Sequence, residues 1–162
     1  MKLPQVIMLV GLPGTGKSTW IQEFLKSADR PYTVLSADAI TTQWANEVGI
    51  DYTEAFKRYP EDVVKREIYR RLDQALRANM SIIWDQTNLS KENRSTKLGR
   101  LPGFYRRTAV VFTVDPEEQT RRLNAPERIA ANKVIPEEVM TRMRSEFELP
   151  DLTEFDEVIH VS

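Results

Sequence analysis

One run governs what this chain can become: Gly11-Leu12-Pro13-Gly14-Thr15-Gly16-Lys17-Ser18. It follows an apolar stretch at residues 6–10. It precedes residues with helical spacing, which set Trp20, Ile21, Phe24 and Leu25 on one face. Glycines at these intervals let the chain turn tightly and aim successive N–H groups inward, making a nest for phosphate oxygens. A helix starting near Lys17 adds the positive end of its dipole. An apolar strand, a glycine loop and a helix, in that order, call for a layered α/β domain whose strands are buried on both faces.

The rest of the chain repeats the alternation. Apolar runs at 32–35, 81–84, 108–114 and 158–161 read as four more strands. Helical spacing is expected at 38–47, 61–79, 91–98 and 117–123, and again after Pro136, where Val139, Met140, Met143 and Phe147 mark a face. The clearest is 61–79, in which Val64, Ile68, Leu72 and Leu76 recur every four residues behind Pro60. Five strands with intervening helices use up 162 residues, so one domain spanning 1–162 is predicted, with a parallel five-stranded sheet flanked by helices. The absence of cysteine and the single histidine, His160, exclude a disulfide framework, a cysteine nucleophile and a multi-histidine metal cage. No stretch approaches the roughly 20 apolar residues of a membrane span, and the N-terminus does not read as an address. A cytoplasmic protein without a membrane is expected.

The pattern G-x-x-x-x-G-K-[ST] is the P-loop, and it implies a nucleoside triphosphate with Mg²⁺. Gly11, Gly14, Thr15, Gly16 and Thr19 then line the ATP cradle, Lys17 reaches the β- and γ-phosphates, and Ser18 ligates the metal. Kinases, motors, GTPases and regulatory ATPases share this cradle. Asp38 falls just past the second strand, where open α/β sheets bind ligands. It can take a proton from an acceptor hydroxyl and aim its oxygen at phosphorus, or it can simply cap the next helix. Asp85 ends the third strand, where a carboxylate serves Mg²⁺ or orients Ser18. Thr87 and Asn88 share that edge, and the alternative there is an Asx-turn. Arg121, Arg122, Arg128 and Lys133 form a basic cluster at about 121–135. It suits either a small lid that brings arginines onto the transferring phosphate or a solvated face.

Taken as an ordered set, GLPGTGKSTW, SADAI, DQTNL, the arginine-rich segment and the tail from VIPEEVMTRMRSEFELP to FDEVIHV resemble the 5′-hydroxyl polynucleotide kinase family of phage and bacterial end-healing enzymes. The resemblance implies a P-loop kinase fold and transfer of the ATP γ-phosphoryl group to the 5′-OH end of DNA or RNA. It implies that Lys17 and Ser18 serve ATP and Mg²⁺, and that Asp38 activates the acceptor hydroxyl. Asp85 becomes the essential carboxylate, and Arg128 or Arg122 the lid arginine on the phosphates. Acceptor contacts are expected from Asp38, Thr41, Thr87, Asn88 and Arg94. Two positions depart from the family pattern. Family members carry an arginine three residues after the catalytic aspartate, where this chain has Thr41. Lys57, Arg58 or Arg94 then takes over the grip on a 3′-phosphate, or the substrate needs none. Gln86 also separates Asp85 from Thr87, so an alignment on TNL puts Gln86 in place of Asp85. No D-x-D-x-T signature is present, and 3′-phosphate removal is not expected.

The net charge of −1 conceals an asymmetry. Lys91, Arg94, Lys97, Arg100, Arg106 and Arg107 crowd residues 89–108, while residues 146–162 carry acids and neither Lys nor Arg. The basic stretch can track a phosphodiester backbone, and Tyr52, Phe56, Tyr59, Phe104 and Tyr105 can offer a base-stacking face. Otherwise these residues are helix surface and core. Two other functions fit the same cradle: a kinase for a small hydroxyl metabolite or nucleoside, and a nucleotide-dependent switch without acceptor turnover.

Overall fold

The structure, a computed structural model, describes residues 2–130 and 134–162. All five predicted strands are present and pair in parallel. They are β1 (Gln5–Val10), β2 (Tyr32–Ser36), β3 (Ser81–Asp85), β4 (Arg106–Phe112) and β5 (Glu157–Val161), in the spatial order β2-β3-β1-β4-β5. After β1 the chain runs out to the β2 edge, returns through β3, then crosses to β4 on the other side of β1. That reversal opens a crevice at the carboxyl ends of the strands beside β1.

Alternation along β1 divides the core into two layers, because successive side chains point to opposite faces. Val6, Met8 and Val10 join Ile82, Trp84, Ala109 and Val111 on one face. There they meet Val64, Ile68, Leu72 and Ala75 of α4 (Glu61–Arg77). Ile7 and Leu9 join Ile83, Val110 and Phe112 on the other face, under Ile21 of α1 (Lys17–Lys26). Trp20 and Phe24 pack half-buried against this second layer, their rings stacked at 4.9 Å. Leu25, expected on the same face, is exposed instead.

The predicted helices appear as α2 (Ala37–Val48), α4, α5 (Lys91–Leu98), α6 (Pro116–Leu123) and α8 (Glu137–Glu146). Two short ones were not expected: α3 (Tyr52–Arg58) and α7 (Pro126–Ala130). Asp51 caps α3 by accepting from the Glu54 N–H at 2.8 Å, and Ala55 seats the helix in the core. β4 ends at Phe112, two residues earlier than predicted. Among the described residues, no helix is long and apolar enough to cross a membrane.

Candidate active site

The loop from Gly11 to Ser18 joins β1 to α1. Gly14 and Gly16 have φ of 78° and 100°, a region that side chains other than glycine rarely enter. Gly16 is the residue before α1, so its left-handed turn delivers the chain directly into the helix. The loop is held from several sides. Gly11 N–H donates to the Thr87 carbonyl at 3.0 Å, and Thr15 Oγ1 donates to the Leu12 carbonyl at 2.7 Å. Gln119 of α6 donates through Nε2 to the Pro13 carbonyl at 3.0 Å. Leu123 of α6 lies so close that a Cβ on Gly14 would come within 3.0 Å of it. Lys17 folds back over the loop, its Nζ 2.5 Å from the Gly11 carbonyl oxygen. Burial lowers the Lys17 pKa to about 8, against the opposing pull of the Asp85 carboxylate.

Asp85 closes β3 in register with Ser36 at the end of β2. Ser36 caps α2, its Oγ accepting from the Ala39 N–H at 3.2 Å. Burial pushes the Asp85 carboxyl up, Lys17 and Ser36 oppose this, and Asp38 pushes it up further. Gln86 accepts from the buried Trp84 indole N–H at 2.9 Å. Both Asp85 and Gln86 line the cleft; the Asp85 charge acts on Lys17, while the Gln86 amide oxygen is spent on Trp84. Asp38 sits in the first turn of α2 but does not cap it, since Ser36 does. Tyr52 of α3 lines the cleft with Asp38, and burial, helped by the Asp38 carboxylate, pushes its phenol above the ordinary range.

A single cleft of about 1290 Å³ brings much of the predicted set together. Gly14, Thr15, Gly16, Lys17, Ser18 and Thr19 line one side, Asp38, Asp85 and Thr87 the sheet edge, and Arg122 and Arg128 the remaining flank. Arg122 Nη1 lies 3.6 Å from where a Cβ of Gly16 would stand, which puts its guanidinium against the loop. Among the described residues no group of three or more His, Cys, Asp or Glu could cage a metal. Ser18 and Asp85 suit a magnesium ion, which takes most of its ligands from water and phosphate. Lys133 lies outside the described residues.

Three predicted acceptor contacts are not on the cleft. Thr41 is buried and spends its hydroxyl on the Ala37 carbonyl at 3.1 Å. Asn88, with φ 49°, is buried; its amide nitrogen holds the Leu9 carbonyl at 2.7 Å and its amide oxygen accepts from Lys97. Arg94 is fully buried. It pairs with Glu154 at 2.9 Å and donates to the carbonyls of Asn88 and Leu89 at 2.9 and 2.8 Å. The N of D-x-T-N is thus architecture, a pin between the end of β3 and the strand that enters the P-loop. Gly11 likewise spends its N–H on Thr87 and not on the cleft.

Several cations of the basic stretch are engaged within the fold. Lys91, Arg94 and Arg106 pair with Asp151, Glu154 and Glu157 of the acidic tail at 3.1, 2.9 and 2.9 Å. The Asp156 carboxylate accepts from the Arg107 backbone N–H at 2.8 Å, and Arg100 lies 3.8 Å over the Tyr69 ring. The aromatic set is split as well. Tyr105 is buried and donates to the Met80 carbonyl, and Tyr59 packs on Trp44, but Tyr52 and Phe56 line the cleft. α3 presents them one turn apart, with Thr53 and Lys57 similarly spaced on the cleft side. Sequence reasoning missed α3 as a wall of the site, and missed Ser36 and Gln119. The serine preceding the acid of SADAI was the available signal for Ser36.

Residues 6–150 match the AAA domain family (AAA_33). Heterogeneous nuclear ribonucleoprotein U-like protein 2 of Mus musculus is 30% identical over 161 residues, covering 96% of this chain. The chain spans 21% of the length of that relative. Among solved structures, a protein of Chloroflexus aurantiacus named only provisionally as a kinase superposes with a TM-score of 0.70 at 21% identity, over 99% of this chain and 86% of its own. A chain of the Pnkp1/Rnl/Hen1 complex gives 0.59 at 19% identity, over 78% and 41%. A sugar kinase from Janibacter gives 0.63 at 16%, over 98% and 84%. Together with the parallel sheet, these likenesses establish a P-loop kinase fold.

Proposed function

Since the chain belongs to the AAA domain family (AAA_33), we propose that it is an ATP-dependent kinase acting on the 5′-hydroxyl end of a polynucleotide. In the transfer, the acceptor oxygen bonds to the γ-phosphorus as the bond to the β–γ bridging oxygen breaks. ADP leaves with the electron pair, and the hydroxyl proton passes to Asp38. The transition state is loose, so alignment of the acceptor counts for more than basicity. Lys17 and the N–H groups of the glycine loop hold the phosphates. Ser18 and Asp85 would hold Mg²⁺, which would neutralise phosphate charge. Part of the predicted lid lies outside the described residues; Arg122 and Arg128, on the flank of the cleft, meet the phosphate charge.

The observation that carries the acceptor assignment is the wall of α3 beside Asp38. The Tyr52 and Phe56 rings stack at 6.3 Å and 28°, and Phe56 is 66% exposed. A terminal base can add to such a step, at a benefit of about 1–3 kcal/mol. Thr53 Oγ1 is buried without a hydrogen-bond partner, and Lys57 lies one turn further on. A phosphodiester satisfies both groups. A small sugar needs neither an aromatic step nor a cation at that distance from the reacting hydroxyl. The names of the U-like ribonucleoprotein relative and the Pnkp1 complex point the same way.

Labelled ATP is to be offered with 5′-OH DNA and RNA oligonucleotides, each with and without a 3′-phosphate, beside a set of small hydroxyl metabolites. Label on the oligonucleotide 5′ end is expected. Label on a metabolite alone identifies a small-molecule kinase. Nucleotide binding without acceptor-dependent ADP formation identifies a switch.

A further inference from the structure

We propose that Lys97 is a positioning residue for the nucleotide: its buried head group fixes which way the Asn88 amide faces, and through that amide it sets the point where β1 becomes the phosphate-binding loop. This rests on the nucleotide half of the function proposed above and on nothing about the acceptor.

The Asn88 amide lies between two kinds of group. On one side stand the carbonyls of Leu9, Gln86 and Trp84, at 2.7, 3.2 and 3.4 Å from Nδ2. On the other side Lys97 Nζ donates to Oδ1. An ammonium only donates and a carbonyl only accepts, so the amide has one satisfied orientation. Turning it over would set its oxygen against three carbonyl oxygens and its N–H groups against the Lys97 donors. Both side chains are buried, so bulk water does not make good a lost partner. α5 reaches this residue with two cations. Arg94 donates to the Asn88 carbonyl at 2.9 Å and holds the backbone, which has φ 49°, while Lys97 holds the side chain. The two cations are three residues apart, on one face of the helix.

The amide in turn holds the end of a strand. Leu9 and Gly11 flank Val10, the last residue of β1. Asn88 takes the Leu9 carbonyl, and the Thr87 carbonyl takes the Gly11 N–H at 3.0 Å. Two neighbouring residues of one loop thus grip both sides of the point where β1 leaves the sheet. The chain has no slack there: a Cβ on Gly11 would stand 3.0 Å from both Phe112 Cβ and Thr15 Oγ1. The Gly11 carbonyl is also the one that Lys17 Nζ holds at 2.5 Å. A turned amide would push Leu9 away, and the displacement would pass to Gly11, the loop and Lys17, which together hold the phosphates.

Lys97→Met keeps an unbranched stem and removes the donor. Binding of Mg·ATP is to be measured by calorimetry on the folded protein without acceptor. The Kd should rise about tenfold or more, as for a cradle displaced by a change outside it. In an Asn88→Gly background, glycine accepts the same φ and no amide remains, so Lys97→Met should weaken ATP no further. A lysine that served stability alone would lower the unfolding midpoint and leave the Kd of the folded protein where it was. Should Lys97→Met not fold, Lys97→Gln is measured in its place. Its head can meet Asn88 with oxygen or nitrogen alike, so the amide is no longer oriented and the same rise is expected. An unchanged Kd overturns the role of Lys97, and so does an equal loss in the Asn88→Gly background. Failure of the unmodified protein to bind ATP overturns the nucleotide reading and this inference with it. Transfer to a small metabolite instead of an oligonucleotide overturns only the polynucleotide acceptor, because the Kd is read without any acceptor.

Discussion

Asp38 and Arg94 show how residue type misleads and burial decides. Both were candidates for touching the acceptor. Asp38 faces the cleft, while Arg94 has no exposure at all and answers to Glu154 and two carbonyls. Replacing Asp38 with Ala should lower kcat by roughly 10²–10⁴-fold while nucleotide binding survives, measured by single-turnover transfer beside direct titration of the nucleotide. The P-loop residues were legible because glycine spacing and a following Lys-Ser are demanded by backbone geometry and phosphate chemistry. The roles of Thr41, Asn88 and Arg94 were not legible. A polar side chain that bonds a carbonyl and one that bonds a substrate use the same atoms, and only the fold says which partner is nearer.

At the scale of elements, α4 and α5 were readable and α3 was not. α4 shows four turns of a single apolar stripe, whereas α3 has seven residues and turns Tyr52 and Phe56 toward the cleft, so no stripe appears in its sequence. α5 has an unusual interior, with Arg94 and Lys97 buried against the loop that follows β3. Arg94→Ala leaves Glu154 and the Asn88 and Leu89 carbonyls without their partner, and a loss of about 3–5 kcal/mol is expected in urea unfolding. Lys97 is braced by the Asn88 amide oxygen and lies 5.5 Å from the Trp84 ring. Burial and the nearby Lys65 charge lower its pKa to about 7. Between that value and the ordinary lysine range the unfolded chain binds the extra proton, so stability rises with pH from about 7 toward about 10. Lys97→Met should flatten that rise in urea midpoints taken across the window, and what slope is left belongs to Lys17, which acts with the same sign above about 8.

Across the whole molecule, the charge asymmetry visible in the sequence is resolved by folding. The basic 89–108 stretch and the acidic tail run side by side and pair, so the net charge of −1 reflects neutralisation in place and not a split between two ends. Sequence position gave no means of seeing that, because the partners stand about 50–60 residues apart and meet only through the β4–β5 pairing and the packing of α5 on the tail. An oligonucleotide acceptor should therefore depend on the cations of the cleft. Its KM should rise with salt and with Lys57→Gln, and should be indifferent to Lys91→Gln and Arg106→Gln; a KM raised by the latter pair would return the acceptor to the basic stretch. The Ser36 hydroxyl has a consequence at the same scale. Its Oγ ties down the first turn of α2 while its backbone stands in register with Asp85 across β2 and β3, so one residue lies at the seam between the donor and acceptor halves of the cleft. A ligand that displaces either half must work against that tie. Thermodynamic linkage then requires acceptor and nucleotide to alter each other's affinity by one common factor. Ser36→Ala cuts the tie without touching the glycine loop, so calorimetric titration of each ligand with and without the other should show that factor falling toward unity.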